Sequence, residues 1–450
     1  MITRALSLAM VLSLLASAAA AQTPCATADS GGTARYVRSG ATGANNGLNW
    51  TDAFTTIPAT MTRGFTYCIA DGTGTYTVPT FDDAASGTTT ITIAKATVAD
   101  HGTNTGWVDT FGDGQATMSA AFFGTSYWVV NGQTRNESDW SVGTAYGFRF
   151  TGRLESNAAN NGGICADNIT VSYVDVGAAD VGNVQTGSEI SAGFYTLMGE
   201  GAGGNTCNTW TMQRNRIHNT VIPLHMNGND GGTIEYNWIG HSFGKEALRG
   251  QNRFKNFIIR YNRFKDSCQT GADLNICTGE IALWDGATAG DFDGNEIYGN
   301  VIYKTTAEPN SGGAIIVGGD GVSWVGVSAS NVLVYNNTIA GITGGTQGGI
   351  LINGGSGNFC RNTLWYDVTG TPTCGGAGVT ASDNGEQGTD PFVNYAAENF
   401  HLSAAIAGFS LGSPYNTDLD SVTRGGDSTF DRGAYEFAGA AAAKTRLRLR

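Results

Sequence analysis

The chain has 450 residues, a formal net charge of −13, 66 glycines, 8 prolines and only 14% charged residues. This acidic balance disfavours nucleic acid as a partner, and 41% hydrophobic with 10% aromatic residues argues against a disordered chain. The glycines follow no every-third-residue period, which excludes collagen; Gly, Asn and Thr between short apolar runs suit many strands joined by tight turns.

The first element reads as a secretion signal. Arg4 supplies a positive charge, residues 5–20 are apolar and rich in Leu and Ala, and Ala19-Ala20-Ala21 offers a small-residue cleavage site. Residues 1–21 are therefore expected to be removed, leaving a secreted or cell-surface protein. A transmembrane anchor is the alternative, but the apolar core is short and ends in small residues. No later segment is apolar enough to span a bilayer.

The middle of the chain repeats itself. A turn residue, alternating apolar positions, an Asn and then an apolar residue two places on recur, as in Asn256-Phe257-Ile258-Ile259-Arg260-Tyr261-Asn262-Arg263-Phe264. The recurring asparagines Asn215, Asn237, Asn262, Asn300, Asn337 and Asn362 are 22, 25, 38, 37 and 25 residues apart. That is the length of one coil of a parallel β-helix, three short strands with their turns, the longer gaps holding inserted loops. Alternation places Phe257, Ile259 and Phe264 inside and Ile258, Arg260 and Arg263 outside. Asn suits the bend because it tolerates left-handed backbone angles, and stacked amides can hydrogen-bond from coil to coil. A β-propeller, the main all-β alternative, would need regular antiparallel blades, which these spacings do not match.

The repeat resembles the pectate-lyase-like superfamily of right-handed parallel β-helices over roughly residues 160–370, by its pattern. The resemblance extends to both ends. The segment from Tyr36 to Phe54, with Asn45, Asn49 and Trp50, resembles the N-terminal part of bacterial secreted and surface members. There Asn49 or Thr51 is expected to start a short helix over residues 50–57 that covers the open end of the first coil. Asp390-Pro391-Phe392, Phe400-His401-Leu402 and Asp431-Arg432-Gly433-Ala434-Tyr435-Glu436 resemble the closing segment. The resulting expectation is all-β: a single-stranded right-handed parallel β-helix over residues 22–437, with an N-terminal helical cap and a C-terminal closing segment. Residues 438–450 form a basic tail expected to be disordered. Terminal caps also favour a monomer over association through open coil ends.

Basic residues concentrate in one window. Nine of the 25 Lys and Arg, and three of the five His, lie within residues 214–265. One reading is an anion-binding groove for an acidic polysaccharide; the other is a solvated face with ordinary pairs such as Arg260 with Glu235. Proton abstraction beside a uronate carboxylate needs a base and a cation to stabilise the developing charge. Residues 241–250 interrupt the repeat with several charged groups, in a loop beside a rigid sheet. The run from His241 to Gly286 is similar in layout to alginate- and chondroitin-cleaving β-helix lyases, although Trp284 stands where their Arg is expected. The resemblance implies Lys245 or Arg249 as base, and Arg260, Arg263 or Lys265 neutralising the uronate. It further implies Glu246 and Glu280 as Ca²⁺ ligands. His241 and Trp284 are further candidates for substrate contact, Trp284 as a stacking ring or simply as a packed aromatic.

Other chemistries leave weaker traces. Asp291-Phe292-Asp293-Gly294-Asn295-Glu296 suits a hard cation or, equally, a self-capped turn, and its Gly position does not fit an EF-hand. Hydrolase and esterase versions of the fold need Asp constellations whose signatures are absent here. A non-catalytic adhesion or matrix protein, with the β-helix as a stiff carbohydrate-binding spacer, is the main alternative to a lyase-like enzyme. Eight cysteines and no Cys-x-x-Cys pair point to disulfides in an exported chain. Neighbour pairing is expected: Cys268–Cys277, Cys360–Cys374, Cys165–Cys207 and Cys25–Cys68.

Overall fold

The computed structural model describes residues 23–438, apart from 73, 158–160, 162–164, 178–189, 198–205, 243–245, 268–278, 287–288, 306–312, 320–326, 344–348 and 371. The expected signal, the basic tail beyond 438, Lys245 and the Cys268–Cys277 pair therefore lie outside the described residues.

The chain winds through three parallel sheets, one strand per sheet per coil. In the first sheet the register aligns Tyr67, Ile93, Val130, Val171, Met212, Ile234, Ile259, Ile297, Val334 and Cys360 in one column. In the second sheet Met118, Phe150, Val176, Ile217, Ile239, Phe264, Ile302, Ile339 and Trp365 align likewise. The third sheet stacks Leu224, Leu248, Ile281, Ile315 and Ile350. All of these are buried and belong to one continuous core. The reason is the period of two: each strand turns one apolar residue in and its neighbours out, and an in-register stack converts that alternation into unbroken apolar columns. The chain is thus a right-handed parallel β-helix.

Between the first and second sheets the bend takes the same two-residue form in most coils, and an asparagine ladder runs through it. Asn262 Oδ1 accepts from the backbone N–H of Asn237 (3.0 Å), Asn300 Oδ1 from that of Asn262 (3.0 Å), and Asn337 Oδ1 from that of Asn300 (3.0 Å). Each amide nitrogen donates back to a strand carbonyl, Asn262 to Ile234 O at 2.8 Å and Asn300 to Ile259 O at 2.9 Å. Two expectations need correction. The left-handed residue of the bend is the one before the rung: Arg214, Tyr236, Tyr261, Asn336 and Asn362 all have positive φ, while the ladder asparagines do not. Asn362 itself is not a rung. Thr363 takes that place, its backbone N–H donating to Asn384 Oδ1, and the Asn362 side chain holds Phe409 through both its backbone N–H and its carbonyl.

The expected helix over 50–57 is absent; those residues form bends and an isolated bridge from Phe54 to Val37. Asn49 spends its side chain on Asp52, closing a turn instead of starting a helix. Ile57 and Met61 still enter the interior core from this non-helical stretch. The helix actually present, α1 (Pro24–Ser30), packs with Trp50, Cys68 and Ala94 on the outer side of the first sheet. Disulfides Cys25–Cys68, Cys165–Cys207 and Cys360–Cys374 form as expected. Past the last coil, Phe392–Asn394 and Asn399–Leu402 pair as an antiparallel hairpin. Together with Tyr435 and Leu419 they bury a second apolar cluster against Tyr298, Val301, Tyr303 and Tyr335. The closing segment therefore lies along the outer side of the late coils.

Candidate functional site

The basic window does not form one site. Its 52 residues wind about twice around the solenoid, so its cations point from all three sheets. Arg260 faces out from the first sheet and is fixed by Glu235 Oε2 (2.7 Å) and Tyr298 Oη (2.9 Å). Arg263 and Lys265 face out from the second sheet, where they meet Tyr435 and Glu398. His241 lies near the end of a strand of that sheet (Trp238–Ser242), its ring 5.7 Å from that of Trp238. Arg249, Glu246 and Trp284 belong to the third sheet and its edge. The expected convergence of Arg249 with Arg260, Arg263 and Lys265 is corrected on this geometry.

Parts of the first two sheets are covered. Besides α1 and the closing segment, the loop 132–147 lies over the second sheet, where Gly143 sits against the Arg216 guanidinium. Under it Asp175, 3% exposed, binds Arg149 (2.6 Å), Arg216 (3.0 Å) and His218 (2.9 Å). This buried network escaped sequence reading, because its members come from three successive coils. The third sheet differs. Its entering connections run from 2 residues (119–120) to 13 (266–278), against the short uniform bend between the first two sheets. Variable connections on a rigid scaffold are where function concentrates.

On the outer face of the third sheet, His225 is directly in register with Arg249, and Asn227 with Gln251; Gln251 is in turn in register with Trp284. His225 Nε2 lies 2.8 Å from Gln251 Oε1. Burial, assisted by the nearby Arg249 charge, pushes the imidazole down to about 4, so His225 is neutral at pH 7. Arg249 donates through Nε (2.9 Å) and Nη2 to the fully buried Glu246 carboxylate. Its Nη1 makes no hydrogen bond among the described residues. The guanidinium lies 5.3 Å from the Trp284 ring centre. Trp284 is 5% exposed, so it acts as a packed support for Arg249 and does not present an open stacking face. His225 is the group that sequence reading passed over. One coil separates it from Arg249, and that spacing was its available signal.

The two carboxylates expected to bind calcium each have a cation beside them. Glu246 holds Arg249, and Glu280 lies 3.4 Å from Lys304, both 1% exposed. Among the described residues no group of three or more His, Cys, Asp or Glu gathers as a metal site. In the 291–296 turn, Asp293 accepts from Ser330 N (2.7 Å) and Asn295 from Phe257 N (3.0 Å), while Glu296 accepts from Tyr415 (3.0 Å). These are fold-holding bonds.

No protein-family model and no curated protein sequence matches the chain. Solved structures similar to it include the mannuronan C-5 epimerase AlgE6 A-module of Azotobacter vinelandii, at 13% identity and a TM-score of 0.33, covering 73% of this chain and 92% of that one. Pectate lyase Pel9A is similar at 13% identity and a TM-score of 0.38, over 92% of this chain and 100% of that one. PfbA, a surface adhesin of Streptococcus pneumoniae, is similar at 12% identity and a TM-score of 0.30, over 72% and 80%. At such values the fold rests on the strand pairings themselves, and those make this chain a disulfide-bonded parallel β-helix protein.

Proposed function

We propose that this is an exported β-helix protein that acts on a uronate-containing polysaccharide by β-elimination, at the outer face of the third sheet. The observation that carries the reading is the adjacency of His225 and Arg249, a neutral imidazole beside a guanidinium with a donor to spare. In this reading Arg249 Nη1 binds the uronate carboxylate and stabilises the charge that develops as the neighbouring C–H is broken. His225 takes the C5 proton. The C–H electron pair becomes the C4=C5 double bond as the C4–O bond breaks, and the imidazolium returns its proton to the departing oxygen. Glu246 and Trp284 are positioning residues that keep the guanidinium beside His225. Lys245, three residues before the strand that starts at Leu248, stands as a second candidate base on the sequence alone.

Three disulfides support an extracellular setting. The test is incubation with alginate, pectate and chondroitin, with and without Ca²⁺, following the ultraviolet absorbance of the unsaturated product. Product formation that disappears in His225→Ala and Arg249→Ala supports elimination. Binding without product would leave the adhesin-like reading, in which the same face only holds the glycan.

A further inference from the structure

A second site lies away from the third sheet. The loop at 138–141, the outer face of the second sheet and the returning segment at 396–401 enclose a cleft of about 580 Å³, within the range of small-ligand sites. One wall carries Arg263 and Lys265, the two outward residues of the strand Arg263–Lys265. Lys265 Nζ meets Glu398 Oε1 at 2.5 Å, and Tyr303 donates to the other carboxylate oxygen at 2.7 Å. Arg263 Nη2 donates to Tyr435 Oη at 2.8 Å. The His401 ring stands 4.4 Å from the Tyr435 ring and its Nε2 is 2.7 Å from Asp420. Asp139 is exposed on the opposite loop. The side chains of Lys265, Glu398 and His401 keep 18%, 35% and 31% of their surface, so a ligand can reach them.

The charge balance selects the ligand. Two cations, Arg263 and Lys265, line the cleft with two carboxylates, Glu398 and Asp139. An anion would have to displace Glu398 from Lys265 and approach Asp139. A neutral polyol meets no such cost: adjacent hydroxyls can give to a carboxylate and receive from the paired ammonium. We infer that this cleft binds a neutral hexose unit of an oligosaccharide, a specificity separate from the uronate contact assigned to the third sheet.

The test uses the mature, disulfide-bonded protein titrated calorimetrically with cellohexaose, laminarihexaose and mannohexaose, and in parallel with oligomannuronate. At least one neutral hexaose is expected to bind. Loss of one hydrogen bond to a charged group should weaken it about tenfold in Glu398→Gln and in Asp139→Asn. Arg249→Ala should leave it unchanged while weakening the uronate titration alone. Asp139→Asn, on an exposed turn, carries the test should Glu398→Gln fail to fold. The inference is overturned if none of the three neutral hexaoses binds, if binding is unchanged in the variants, or if oligomannuronate is the ligand lost in them.

Discussion

Replacing Asn262 with alanine or glycine separates two explanations of the recurring asparagine. The side chain is fully buried; its oxygen accepts from Asn237 N and Nδ2, and its nitrogen donates to Ile234 O and Asn300 Oδ1, all within 2.8 to 3.0 Å. Truncation leaves the Asn237 N–H without its acceptor and Ile234 O with one donor fewer. At about 1–3 kcal/mol per buried orphan, the expected loss is about 2–4 kcal/mol. Had Asn262 been selected for left-handed backbone, glycine would be tolerated or mildly favourable, since it adopts that region freely. The ladder account predicts that glycine costs at least as much as alanine. Guanidinium unfolding followed by tryptophan fluorescence gives the global effect. Amide exchange at Asn237 gives the local one, with protection expected to fall about 30-fold or more, the equivalent of about 2 kcal/mol. An Asn262→Gly variant as stable as the native protein, with Asn237 still protected, would refute the ladder reasoning.

The other predictions concern the third sheet and the cross-links. His225 has a folded pKa of about 4, below its ordinary value of 6.5, so the unfolded chain binds its proton more readily. Its contribution to stability is therefore full above about pH 6.5 and falls progressively as pH drops towards 4, by no more than about 3 kcal/mol. His225→Gln should flatten that part of a denaturation-midpoint profile, and an unchanged slope would count against the assignment. Trp284→Ala removes the ring beneath Arg249; as a positioning change it should lower turnover on uronate substrates, with partial rescue by Trp284→Phe. Equal loss in the Ala and Phe variants would point to a role for the indole itself. The Cys25–Cys68 bond closes a 43-residue separation, and its removal as a Cys25→Ala/Cys68→Ala pair should cost about 4 kcal/mol on the chain-entropy estimate. A shift of under about 1 kcal/mol would show that α1 contributes little to the first coils.

The architecture was legible because its physics is local and repeated. Period-two alternation set Phe257, Ile259 and Phe264 inside, and a buried amide recurring once per coil marked the bend. Where the reading failed, a one-residue register or a three-dimensional winding decided the outcome. Asn362 matches the pattern as well as Asn337 does, yet it stands one place early, with Thr363 in the rung. The residues around Trp50 have helix-start chemistry, but Asn49 and Asp52 bind each other and close a turn. The basic window looked like one patch in sequence and is three in space, because a coil of roughly 25 residues carries successive cations past every face. Clusters such as Arg149, Asp175 and His218 have no contiguous signature, since register across coils alone assembles them.

The most direct test of the central claim is the pH–rate profile of product formation on an oligouronate, measured as the rise in ultraviolet absorbance for native protein, His225→Ala and Arg249→Ala. The account predicts activity in the native protein that declines as pH falls towards 4, and none above background in either variant. Native protein that binds oligouronates without producing the unsaturated product, or a His225→Ala variant that eliminates at the native rate, would contradict it.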